Sequence, residues 1–152
     1  MLPIRVATAS LNQTPLDWAG NQARIEAAIA AARAAGVGLL ALPELCTTGY
    51  GCEDAFLGPD VAERAWTMLQ ELVPQTSGMV VTIGIPVRRR GGLYNTACVI
   101  ADGRIAAIGA VSGSAAREID AGGRIVTPGG VDPHCHIEQR SGMGRMNADS
   151  FE

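Results

Sequence analysis

Two groups of residues in this 152-residue chain have the types and spacing to do chemistry. The first is built on Glu44, which follows the apolar run Leu39 to Leu42 and Pro43. Proline has no N–H for a ladder, so a buried strand stops there and delivers the carboxylate to its carboxyl end, where open α/β sheets place their ligands. The continuation Thr48-Gly-Tyr-Gly51 has the glycines for a tight, backbone-rich loop, and Tyr50 within it is a candidate substrate contact. Held half-buried, Glu44 would have a raised pKa and could act as a general base; the plain alternative is a strand-end carboxylate facing water. Tyr94 and Asn95 could shape a substrate pocket or serve a cross-strand structural role. The second group is His134-Cys-His136. On a strand, residues i and i+2 share a face, so both imidazoles can reach one metal ion, and Asp132, two residues earlier, is a further ligand or a partner to one. By itself this spacing favours the plainer reading, two polar histidines on an exposed strand.

The elements that must position these residues follow from periodicity and turn chemistry. Ile4 to Ala9 alternates as a first strand. Thr14-Pro-Leu-Asp17 reads as a helix start with Thr14 as cap. Ile25, Ala28, Ile29 and Ala32 continue the helix as one apolar face, and Gly36 ends it. Val37 to Leu42 is a buried strand. A second helix starts near Pro59-Asp60, buries Val61, Ala65, Met68, Leu69 and Leu72, and stops before Pro74. Met79 to Val87 and Leu93 to Ala101 are strands around a hairpin tip at Arg88–Gly92, and Asp102-Gly103 turns the chain into Arg104 to Ile108. This order implies an α/β layered fold: a sheet of three to five strands and two main helices up to residue 109, then a short β-rich, loosely packed tail.

Composition bounds the reading. A net charge of −3 and 47% hydrophobic residues describe a globular chain without polyanion-binding character, so no nucleic acid is expected as a partner. Arg88-Arg-Arg90 has no interleaved aromatics and reads as a solvated tip. No apolar run approaches a membrane span, and the first residues read as a strand rather than a signal peptide. Cys46, Cys52, Cys98 and Cys135 show no secreted-scaffold spacing, so a reduced, cytoplasmic setting is expected, with Cys46 and Cys52 as packing residues. Trp18 and Trp66 read as helix-packing residues. All 12 basic residues are arginine; the chain contains no lysine.

Three strings carry a resemblance: Ala9-Ser-Leu-Asn-Gln-Thr-Pro-Leu-Asp-Trp18, Leu42-Pro-Glu-Leu-Cys-Thr-Thr-Gly-Tyr-Gly-Cys-Glu-Asp54 and Gly92-Leu-Tyr-Asn-Thr-Ala97. Through them residues 4–105 resemble the amino-terminal half of a nitrilase-superfamily domain, most of all the glutaminase domain of glutamine-dependent NAD synthetases. The resemblance implies a part of an α-β-β-α sandwich, a small amide such as glutamine as substrate, no cofactor, and pairing of domains into a homo-oligomer. That family hydrolyses the amide with a Glu–Lys–Cys triad, and Glu44 falls on the position of its base.

From about residue 102 a second set of strings, including Arg117-Glu-Ile-Asp-Ala-Gly-Gly-Arg-Ile-Val-Thr-Pro-Gly-Gly-Val-Asp-Pro-His-Cys-His136, is similar to the start of the dihydropyrimidinase and hydantoinase branch of the amidohydrolases. This resemblance implies a zinc site at His134 and His136, with Asp132 beside them, and cyclic-amide chemistry. The chain is therefore read as a chimera of two pieces, a nitrilase-like half-domain over 1–105 and an amidohydrolase-like fragment over 106–152. The lysines of both families are absent, and the only two histidines are already used, so neither site is complete. The leading expectation is a C–N hydrolase-derived chain of the glutaminase lineage, inactive by itself. The alternatives are a zinc-dependent cyclic amidase fragment and a non-catalytic oligomerising or binding module.

Overall fold

The computed structural model describes residues 4–109. Five strands form one sheet in sequence order: β1 (Val6–Thr8), β2 (Leu39–Ala41), β3 (Val80–Arg89), β4 (Gly92–Ala101) and β5 (Arg104–Ile108). β1, β2 and β3 run parallel, joined by the helices α1 (Trp18–Ala34) and α2 (Pro59–Leu72), while β3, β4 and β5 form an antiparallel meander. The fold is the α/β sheet with helices that the element order implied, with five strands present.

Both helices bury their apolar stripes on one side of the sheet. Ile25, Ile29 and Ala32 of α1 and Ala65, Met68, Leu69 and Leu72 of α2 pack with Leu40, Val81, Ile83, Ile85, Cys98 and Ile100 in one core. In strands, alternate residues face opposite sides, so Gly84, Pro86, Asn95 and Ala97 lie on the face away from the helices. Trp18 and Trp66 pack at the edge of the core, and the Arg64 guanidinium sits 4.9 Å from the Trp18 ring centroid. Among the described residues, no helix is long and apolar enough to cross a membrane.

Several boundaries differ from the sequence reading, each for a local reason. Helix α1 is capped by Asp17, whose carboxylate accepts from the Gly20 N–H at 3.1 Å, not by Thr14. Thr14 lies ahead of the helix, its N–H and C=O bonded to the Asn21 side chain, and Leu16 follows with φ 58°, so a helix cannot start before Asp17. The hairpin tip is shorter than the Arg88–Gly92 segment: Arg88 and Arg89 pair with Leu93 and Gly92, leaving Arg90 and Gly91 as a two-residue turn with φ 48° and 78°. Arg88 is also less free than a solvated tip, donating to the Gly58 carbonyl at 3.2 Å. Two 3₁₀ segments, Glu53–Leu57 and Val73–Thr76, were not foreseen; the second lets the backbone continue from α2 through Pro74, whose missing N–H costs nothing in a first turn.

Candidate active site

The apolar strand β2 ends at Ala41, and Leu42 still donates to the Thr82 carbonyl at 3.0 Å before Pro43 terminates the pairing. The loop that follows is a tight turn: Leu45 has φ 47°, and its carbonyl accepts from both the Thr48 and Gly49 amides, at 3.1 and 2.8 Å. Glu44 therefore stands at the carboxyl end of β2, and Tyr50 returns to it. The Tyr50 hydroxyl donates to one Glu44 oxygen, and the Asn95 side-chain N–H donates to the other. Of the three residues singled out with Glu44, Tyr50 and Asn95 thus meet it, and their side chains hold the carboxylate rather than stand apart from it.

Partial desolvation of its hydroxyl, then the hydrogen bond to Glu44 and its negative charge, push the Tyr50 phenol up to about 12. Although the residue as a whole is 58% exposed, its hydroxyl stays protonated near neutrality and remains a donor to Glu44. Glu44 itself is exposed, not half-buried as the strand-end position suggested. Tyr94 is the residue that does not join: it points to the opposite face from Asn95 and lines a cleft with Val87, Arg89, Arg90, Thr96 and Ile108.

The cysteines of this loop are structural. Cys46 is buried, its thiol is pushed up to about 12 by that burial, and it lies 3.6 Å from the Gly84 carbonyl as a weak donor. Cys52 is buried with its thiol toward the Thr48 and Gly49 carbonyls at 3.4 and 3.3 Å. Among the described residues, no group of three or more His, Cys, Asp and Glu could hold a metal ion. Asp132, His134 and His136, the expected zinc ligands, lie outside the described residues, as does the expected C-terminal fragment from residue 110 on.

Sequence reasoning missed the residues that shape the loop. Gly84 is one: an added Cβ would stand 2.6 Å from the Glu44 Cα. Asn21 is another, wholly buried on α1 and bonded to the loop. Both carried a signal. Gly84 interrupts an apolar strand between Ile83 and Ile85, a mark of close backbone approach, and Asn21 is a polar residue in register with Ile25 and Ile29 on a buried stripe.

The family model for carbon–nitrogen hydrolases matches residues 5–121. The chain belongs to the carbon–nitrogen hydrolase family. Among its relatives, glutamine-dependent NAD(+) synthetase of Arabidopsis thaliana is 41% identical over 104 residues, covering 67% of this chain and 14% of that protein. The corresponding synthetase of Saccharomyces cerevisiae is 40% identical over 104 residues, covering 67% of this chain and 15% of its own. The hydrolase chain thus spans about a seventh of the length of these relatives. A crystal structure of a glutamine-dependent NAD(+) synthetase from Cytophaga hutchinsonii superimposes with a TM-score of 0.68 at 43% identity, covering 69% of this chain and 18% of that one. An amidase from Nesterenkonia sp. gives a TM-score of 0.59 at 25% identity, covering 69% and 41%. The family match extends to residue 121.

Proposed function

We propose that this carbon–nitrogen hydrolase carries part of a glutamine-hydrolysing site in which Glu44 is the general base and Tyr50 and Asn95 hold it in place. The observation that carries this reading is the two-sided grip on the Glu44 carboxylate at the carboxyl end of β2, in a chain similar to glutamine-dependent NAD(+) synthetases. Each carboxylate oxygen has two lone-pair directions, so a donor on each still leaves a lone pair free to take a proton from an attacking nucleophile. The substrate on this reading is a small amide, and hydrolysis requires water and no cofactor.

These 152 residues do not supply the remaining machinery. They contain no lysine to stabilise the intermediate; among the described residues Cys46, Cys52 and Cys98 are buried thiols, two of them with raised pKa, which are poor nucleophiles, and the fourth cysteine, Cys135, sits in the His-Cys-His string. On this reading the chain by itself releases no ammonia from glutamine.

The test has two arms. The purified chain is incubated with glutamine, with no ammonia release expected; release that Glu44→Gln abolishes would overturn the claim of incompleteness. Residues 4–109 are then exchanged into the matching segment of a glutamine-dependent NAD(+) synthetase. The exchanged enzyme is expected to hydrolyse glutamine, and Glu44→Gln to cut kcat by about 10²- to 10⁴-fold, the usual worth of a general base. Full activity in that variant would remove Glu44 from the role.

The division into 1–105 and 106–152 and the zinc reading of Asp132, His134 and His136 are separate proposals. They rest on the His-x-His spacing and the second resemblance alone. Zinc content of the purified chain and of His134→Ala tests them: stoichiometric metal lost on substitution supports the site, and no metal in the parent chain ends it.

A further inference from the structure

Three consecutive carbonyls of the loop between Glu44 and Tyr50 are each taken by a donor from the segment 13–21. The Gln13 side-chain N–H donates to the Cys46 carbonyl, the Asn21 side-chain N–H to the Thr47 carbonyl at 3.4 Å, and the Leu16 amide to the Thr48 carbonyl at 2.9 Å. Asn21 is wholly buried and uses all of its hydrogen-bonding capacity. Its oxygen accepts from the Thr14 amide at 2.9 Å and from Arg24 at 3.0 Å, and its nitrogen donates to the Thr14 carbonyl at 2.8 Å as well as to Thr47. Close packing backs these bonds: a Cβ on Gly49 would stand 2.9 Å from the Thr14 carbonyl group.

On its other side the same loop is bonded to β3. The Thr47 amide and hydroxyl both reach the Gly84 carbonyl, at 3.4 and 3.3 Å. The loop is thus gripped from two directions, and its two ends are the residues that meet, Glu44 and Tyr50.

We infer that Asn21, with Gln13 beside it, is a positioning residue for the Glu44–Tyr50 pair. It fixes the backbone of residues 46–48 and thereby sets where the Glu44 carboxylate and the Tyr50 hydroxyl stand. Neither residue touches the carboxylate; both act through the loop. This inference rests on the reading of Glu44 as the working carboxylate.

The test reads the pair itself. The full chain has two tyrosines, Tyr50 and Tyr94, so tyrosine-labelled NMR resolves both phenol titrations, and Tyr94→Phe assigns them. In the parent chain the Tyr50 phenol, raised by partial desolvation and by Glu44, is expected to titrate at about 12. In Glu44→Gln it is expected to fall towards the ordinary tyrosine value of about 10. In Asn21→Ser it is expected to fall in the same direction while circular dichroism and the backbone amide spectrum show a folded chain. A residue that merely stabilised the fold would lower the melting temperature and leave that titration where it was. An unchanged Tyr50 titration in folded Asn21→Ser overturns the positioning role alone. An unchanged titration in Glu44→Gln overturns the pairing and, with it, the reading of the site. Should Asn21→Ser fail to fold, Gln13→Ala, which removes the neighbouring bond to Cys46, decides by the same titration.

Discussion

Gly84 lies directly against the backbone of Glu44. A Cβ at position 84 would stand 2.6 Å from the Glu44 Cα and closer still to the Pro43 carbonyl oxygen and the Leu45 amide. The loop after β2 can rest on β3 only because that strand has no side chain there. The surroundings that would have to move are backbone, which yields less readily than a flexible side chain. Gly84→Ala is therefore expected to destabilise the chain by about 1–3 kcal/mol, the range for forcing atoms into a packed site, and to loosen the Thr47–Gly84 hydrogen bonds. The urea midpoint and amide exchange at Thr47 measure both; an unchanged midpoint would mean that the loop does not sit on the strand.

The two faces of the sheet are expected to respond differently to substitution. Leu69 and Ile83 are wholly buried between helices and sheet, and Leu69→Ala is expected to cost about 2–5 kcal/mol through lost burial and the cavity left behind. Val6 is 58% exposed on the opposite face, and Val6→Thr is expected to stay within about 0.5 kcal/mol. Denaturant titration of both variants checks this, and equal losses would contradict a core confined to the helix side.

Stability is expected to fall on the alkaline side, and the direction follows from three groups. Burial raises the thiols of Cys46 from 9.0 to about 12 and of Cys98 from 9.0 to about 11, while Tyr50 is raised from 10.0 to about 12. Each group is neutral when protonated, and the folded state holds its proton more tightly than the unfolded chain does. Their contribution is complete below pH 9 and is lost as the unfolded state sheds protons between pH 9 and about 12. The urea midpoint followed through that window is expected to drop, and Cys46→Ala to drop less steeply; a flat profile would contradict the buried placement. The same burial predicts that Cys46 and Cys98 react with a thiol reagent only on unfolding.

Much of this arrangement was legible because it is local. Apolar runs, Pro59 at the first turn of α2, and the Asp102-Gly103 turn each declare themselves within a few residues, and the element order followed from them. Glu44 was legible for the same reason, as an acid after a proline that ends a strand. What the sequence could not show is the pairing of distant groups. Asn95 reaches Glu44 only because β4 lies beside β3 in a register that sets Asn95 opposite Pro86. Tyr94, its neighbour, turns away because strand side chains alternate, and a one-residue change in register would exchange their places. Thr14 resembled a cap because Pro15 and Asp17 follow it, while the residue that occupies its backbone, Asn21, lies seven positions on.

The two turns in the meander, Arg90-Gly91 and Asp102-Gly103, have positive φ at all four residues, matching the twist of the strands they join. β3, β4 and β5 can therefore zip together from contacts only a few residues apart, whereas β1, β2 and β3 must close across a whole helix each. Low sequence separation means rapid formation, so the antiparallel half is expected to serve as the folding nucleus. During vectorial synthesis the ribosome releases β1, α1, β2 and α2 before the strand that β2 and α2 pack against. The part of the chain that bears Glu44 must then wait, with its apolar stripes uncovered, for the later meander to give it a template.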